Sequence, residues 1–244
     1  MKRFFSLIVI VLCLLGMAFG AQAKKSRTKS AKGLNKLVVA TTPKVDANGY
    51  YSLLKCPDKN DNIKVTATKH GDDSYKVDIF LGGKQVASEV CEATSDDVRF
   101  VDANFDGYYD VFIGPASSRT YNALFLWNPQ EQKYNKAKVN DNLNGYFLLN
   151  PAKKVWVGRG SASYCSEYYT EFKWQGDQQV DAETLIEITD PTVYSDYGVH
   201  RRYTVIKGGD CDNVAKNRKQ QTNKRASLPK KWRTSIKAFD SFLK

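Results

Sequence analysis

Residues 99–113 read Arg99-Phe100-Val101-Asp102-Ala103-Asn104-Phe105-Asp106-Gly107-Tyr108-Tyr109-Asp110-Val111-Phe112-Ile113. Within Asp102–Asp110, oxygen-bearing side chains fall at the first, third, fifth and ninth places, and Gly107 stands sixth. Alternate side chains of a short turning loop point inward, a glycine permits the sharp bend, and the backbone carbonyl of the seventh residue, Tyr108, adds another oxygen. That pattern wraps a hard cation, and Ca²⁺ accepts the irregular angles such a loop offers where Mg²⁺ demands an octahedron. The expected ligands are Asp102, Asn104, Asp106, Tyr108 through its carbonyl, and Asp110. The twelfth place falls on Ile113 rather than a bidentate Glu. The flanks, Arg99–Val101 and Val111–Ile113, are β-branched and aromatic, so the loop is expected to join two strands and not two helices. An affinity on the order of 10⁻⁴ to 10⁻³ M is typical of extracellular sites of this kind.

The same strand character extends on both sides. Tyr75–Phe80 alternates apolar and polar residues, Gly82-Gly83 follows, and Gln85–Ala87 returns; two glycines between such runs accept the positive φ of a tight hairpin turn. Further strands are expected at Lys64–Thr68, Val98–Val101, Val111–Ile113, Ala123–Trp127, Phe147–Leu149, Val155–Gly158, Glu171–Trp174, Leu185–Thr189 and Tyr203–Lys207, punctuated by Asn128-Pro129, Asn150-Pro151 and Asp190-Pro191. Many short strands at this spacing predict an all-β fold, antiparallel, as a sandwich or propeller-like stack over residues 38–210. The end of the chain differs. Trp232, Ile236, Phe239 and Leu243 recur at helical spacing after Ser227 and Pro229, which predicts an amphipathic helix over 227–244 packed on the β body. Residues 211–226 read as a basic linker.

The beginning reads as an address. Lys2-Arg3 precedes an apolar run to Phe19 and then Ala21-Gln22-Ala23, a secretory signal peptide over 1–23 that places the mature chain in the periplasm or outside the cell. Five cysteines less Cys13 in that leader leave Cys56, Cys91, Cys165 and Cys211. An even number in an exported chain predicts two disulfides. Three connectivities are open, and Cys56–Cys91 with Cys165–Cys211 is favoured because each closes a local loop.

Charge is split along the chain. Residues 1–37 hold eight Lys/Arg and no acid, 201–244 hold thirteen Lys/Arg against three acids, and 38–200 hold 16 basic against 23 acidic residues. This is an acidic body with two basic ends. The segment 24–37 lacks apolar periodicity and reads as a disordered basic linker. Such ends are solvated or drawn to anionic lipid headgroups and envelope polymers; neither carries the aromatic platforms or reading helix that nucleic acid requires.

The stretch Asp102–Gly114, followed by Tyr121–Trp127, Asn128-Pro129 and Tyr134, resembles an FG-GAP/VCBS-type calcium blade. More narrowly, it is similar to exported bacterial proteins with one such loop, among them periplasmic immunity proteins that inhibit lysozyme-like effectors. The resemblance implies the same five ligands, an all-β frame and a protein partner. It assigns no inhibitory loop to particular residues here.

Catalytic motifs are absent. With 2 histidines, His70 in a polar turn and His200 before Arg201-Arg202, there is no His-based metal or triad pattern, and neither a Gly-x-Ser-x-Gly elbow nor a phosphate loop occurs. Glu167 and Glu171 in a stretch with Tyr164, Tyr168 and Tyr169 leave two other readings, an envelope hydrolase using the carboxylates or an adhesion module whose tyrosines bind an envelope glycan. The leading expectation is a non-enzymatic, exported, calcium-stabilised β protein that binds an envelope macromolecule, in its sharper form a lysozyme-like peptidoglycan hydrolase.

Overall fold

The alternating segments fold into fourteen strands among the residues that the computed structural model describes, 33–117, 120–139, 145–163, 166–189, 201–208 and 213–243. Strands β2 (Ile63–Gly71), β3 (Ser74–Leu81) and β4 (Lys84–Glu92) make a three-stranded sheet. Strands β5 (Val98–Val101), β6 (Asp110–Ile113), β7 (Ala123–Asn128) and β8 (Lys133–Lys136) make a four-stranded one. The third sheet has seven strands in the order β1 (Tyr51–Ser52), β9 (Tyr146–Asn150), β10 (Val155–Ser163), β11 (Ser166–Gln175), β12 (Gln178–Thr189), β13 (Arg201–Lys207) and β14 (Arg218–Thr222). All pairings within these sheets are antiparallel. Gly82 and Gly83 turn β3 into β4 with φ of 57° and 82°, the hairpin expected from the two glycines.

The sheets stack as layers with a core between each pair. Val111 and Ile113 of β6 and Ala123, Phe125 and Trp127 of β7 face the three-stranded sheet, where they meet Val77, Ile79 and Leu81. Their neighbours Phe112, Leu124 and Leu126 face the opposite way, against Phe147, Leu149 and Trp156 of the seven-stranded sheet. The far face of that sheet presents Leu148, Val157, Tyr169, Leu185 and Val205 to helix α1 (Lys230–Phe242), which buries Trp232, Ile236 and Phe239. Four layers result: three strands, four strands, seven strands, helix. A strand buried on both faces needs apolar residues at successive positions, which is why β6 and β7 read Val-Phe-Ile and Ala-Leu-Phe-Leu-Trp. Among the described residues the sheets do not close into a propeller.

Helix α1 is fixed to the sheet by one carboxylate. Glu183 on β12 accepts from Lys219 Nζ at 2.6 Å, Lys231 Nζ at 3.0 Å and Trp232 Nε1 at 2.8 Å. Burial pushes its pKa up, but the hydrogen bonds from Lys219, Lys231 and Trp232 outweigh it, and the net pKa lies below the ordinary value. A depressed acid contributes stability that is whole above its unfolded pKa and is lost as pH falls through the folded one. Acidification below the ordinary carboxylate range is therefore expected to loosen α1, read by Trp232 fluorescence. Glu183→Gln should flatten that part of the titration and lower stability at neutral pH; an unchanged acid transition in the variant would reject the assignment.

Four expectations are corrected. Residues 211–226 are not all linker, because β14 pairs with β13 through Tyr203↔Thr222, Thr204↔Gln221 and Val205↔Gln220. The end of the expected basic linker 24–37 is ordered, with Leu34 and Leu37 packed on the first core; residues 24–32 lie outside the described ones. The helix stops at Phe242, leaving Leu243 38% exposed instead of in the apolar stripe. Cys56 and Cys91 are buried and unbonded to each other. Cys56 lies in the core between the four- and seven-stranded sheets and Cys91 in the core on the other side of the four-stranded sheet, so a sheet separates them. Cys165, Cys211 and the expected signal peptide, residues 1–23, lie outside the described residues.

Candidate cation loop and the groups around it

The β5–β6 hairpin carries the oxygen-rich loop at its end, with Val98↔Ile113 and Val101↔Asp110 in register. The expected strand–loop–strand arrangement is present. Gly107 takes φ of 89° and Phe105 φ of 61°, so the backbone coils left-handedly at both points. The side chains hold that coil closed. Asp102 Oδ1 accepts from Asp106 N at 2.9 Å and its Oδ2 from Gly107 N at 3.1 Å. Asn104 Oδ1 also accepts from Asp106 N, at 3.2 Å, and Asp106 Oδ1 accepts from Tyr108 N at 3.0 Å.

Asp110 differs from the other carboxylates. It is fully buried. Its Oδ2 accepts from Ala103 N and its Oδ1 from Trp127 N, both at 2.8 Å. It thus ties the start of the loop to its end and both to β7. Ala103 passes the constraint on, since its carbonyl accepts from Trp156 Nε1 at 2.7 Å, across the second core. Residues 38–40 run beside the loop's far limb, where Tyr109 N donates to Val38 O at 2.6 Å and Ala40 N to Gly107 O at 3.0 Å. Tyr134 closes the surround: its hydroxyl donates to the Tyr109 carbonyl at 2.9 Å and its ring packs against Trp127. The loop is held from four sides.

The carboxylates repel one another. Burial raises the pKa of Asp102, and the charge of Asp106 raises it further against the opposing amides of Gly107, Asp106 and Phe105. Burial raises Asp110 well above its ordinary value, with Asp106 and then Asp102 adding to it against the amides of Trp127 and Ala103. A divalent cation at the loop would relieve this repulsion. The donor set fits one in chemistry: carboxylate, amide and carbonyl oxygens, with no sulfur or imidazole. Each Asp110 oxygen keeps a second lone pair beyond the amide it accepts. As the side chains stand, no three His, Cys, Asp or Glu groups converge as metal ligands among the described residues. Binding an ion here would therefore require side-chain rotation within the loop.

An open cleft of ≈ 340 Å³ lies beside the loop, lined by Asn104, Asn128, Gln130, Asn135 and Asp177 among others. The alternative site on β11 is not assembled in the same way. Glu167 is held by Arg159, with Nη2 at 2.6 Å, and by the Tyr169 hydroxyl at 2.9 Å. Glu171 pairs with Lys231 at 3.3 Å. Tyr169 is buried under α1, whereas Tyr168, the preceding residue of the strand, projects to the other face. Tyr164 and His200 lie outside the described residues, and His70 is exposed on β2. Sequence spacing signalled the five loop positions; Trp156, which reaches Ala103 from the seven-stranded sheet across the second core, and Asn35, which accepts from Trp127 Nε1 at 2.9 Å from the turn before Lys36–Val38, carry no local signal because they lie far from the loop in sequence.

No family model matches the chain, and no curated protein matches it. A solved structure described as "Structure of a Xanthomonas Type IV Secretion System related protein" is similar at 13% sequence identity and a TM-score of 0.42, over 70% of this chain and 94% of that one.

Proposed function

We propose that this is an exported calcium-binding β protein that binds a macromolecule of the cell envelope, with inhibition of a lysozyme-like peptidoglycan hydrolase as its sharper form. The observation that carries the calcium reading is the gathering of Asp102, Asn104, Asp106 and Asp110 in one left-handed loop between β5 and β6 whose ends are anchored in the core. Asp102, Asn104, Asp106, the Tyr108 carbonyl and one lone pair of Asp110 would hold the ion. A bound cation would neutralise the loop and fix the β5–β6 hairpin; its role is architectural, and no catalytic step is assigned to it. The partner reading rests on the likeness of Asp102–Gly114 and Tyr121–Trp127 to FG-GAP/VCBS-type blades and on the acidic excess of residues 38–200, which suits a basic enzyme.

Two measurements test it. Millimolar calcium is expected to raise stability by about 1 kcal/mol and Tm by roughly 2–4 °C. Asp106→Ala should abolish the rise with calcium; a variant that keeps the full rise would reject the ligand set. Lysozyme should be retained on the immobilised protein, and its muramidase activity should fall at micromolar protein. Neither retention nor inhibition would remove the hydrolase partner and leave the ion. The amide-lined cleft beside Asn104 favours a glycan ligand as the second reading, since side-chain amides both donate to and accept from sugar hydroxyls; a glycan array separates it from the first.

A further inference from the structure

We propose that the outward stripe of helix α1 is a docking surface for anionic phospholipid bilayers. Residues 213–243 carry nine Lys/Arg and one acid, Asp240. Three of the cations are neutralised: Lys219 by Glu183, Lys231 by Glu171 and Glu183, and Arg225 by Asp240 at 2.8 Å. Lys230, Arg233 and Lys237 are exposed and make no ion pair among the described residues. At about 100° per residue these three fall within roughly 60° of arc on the helix, opposite Trp232, Ile236 and Phe239. The helix is the last layer of the stack, so this row of charge lies on its outside.

The shape selects the partner. The apolar face of α1 is consumed by the seven-stranded sheet, so the helix cannot insert into a membrane; what remains is a rigid, convex row of cations. A convex row meets a plane of phosphates but does not enclose a polymer strand, as a groove would. Single-stranded nucleic acid is held in a groove with aromatic rings for base stacking, and no exposed aromatic lies on α1. Each Lys or Arg near an anionic leaflet contributes independently, and salt screens all of them together. A chain held by this row would point the opposite end of the stack away from the membrane. The inference does not depend on whether the loop takes calcium.

The test is co-sedimentation of chain Lys24–Lys244 with vesicles of phosphatidylcholine containing about 30% phosphatidylglycerol, in about 0.1 M salt. Binding is expected on these vesicles, none on pure phosphatidylcholine, and release as salt rises. The triple variant Lys230→Glu/Arg233→Glu/Lys237→Glu should bind at least ~100-fold more weakly. Lys59→Glu/Lys64→Glu/Lys69→Glu makes the same change in net charge at other exposed sites and should change binding less than about threefold. All six residues are exposed, so far-UV dichroism and Tm should match the wild type in both variants and separate lost binding from lost folding. Equal losses in the two variants, no loss in the first, or binding to soluble dextran sulfate but not to vesicles would each overturn the proposal.

Discussion

Asp110→Ala, denatured with urea in the presence of a chelator, is expected to lose about 2–4 kcal/mol of stability. The carboxylate is fully buried and its two oxygens are the acceptors for the amides of Ala103 and Trp127. Removing it strands two buried N–H donors, each worth roughly 1–3 kcal/mol when unsatisfied. Relief of its own desolvation and of repulsion from Asp106 offsets part of that loss. Asp110→Asn keeps one acceptor but turns an NH₂ toward the other amide, so it should be the milder change, at about 1–2 kcal/mol. The chelator matters because it reads the anchoring role apart from any ligand role. An alanine variant within about 0.5 kcal/mol of the wild type would show that the two hydrogen bonds do not hold the hairpin.

Trp156→Ala is expected to cost about 3–5 kcal/mol, which for a chain of this length is a fall in Tm of roughly 6–20 °C. The indole is fully buried between the four- and seven-stranded sheets, in edge contact with Phe147 at 5.6 Å and Trp174 at 6.4 Å. Its truncation opens a cavity where neither sheet can collapse without dragging the other. It also removes the donor to the Ala103 carbonyl. Trp156→Phe fills most of the volume and loses the hydrogen bond, so it isolates that bond at about 1–2 kcal/mol. If phenylalanine were as damaging as alanine, shape rather than filling would govern the site. If both were mild, the second core would not be what joins the sheets.

What the sequence disclosed follows from which interactions are local. The strand–loop–strand unit around Gly107 was readable because its turn and its alternating oxygens are set by neighbours within nine residues. Helix α1 was readable because one stripe meets one sheet. Strand β14, Arg-Lys-Gln-Gln-Thr, was not: it is an edge strand whose side chains stay largely in water, and charged, polar edges are how sheets avoid pairing with other chains. Strand β8 was missed for a related reason, since Tyr134 alone of its four residues is buried. The favoured Cys56–Cys91 pairing is not formed because closeness along the chain says nothing about which side of an intervening sheet each sulfur occupies. Asp110 was legible as an oxygen donor; its role as the acceptor for β7 depends on Trp127, seventeen residues on.

The sandwiching of β6 and β7 between two apolar layers also bears on the chain before it folds. Ala123–Trp127 contains no charge and no proline, and such a run, rich in β-formers, is the kind that self-associates when it is bare. Its boundaries counter this: Asn122 precedes it, Asn128-Pro129 follows it, and Asp110 guards the entry to Val111–Ile113. Newly made molecules must hide this adhesive strip inside the stack before they meet one another, so soluble yield and freedom from aggregates should depend on those three polar gatekeepers.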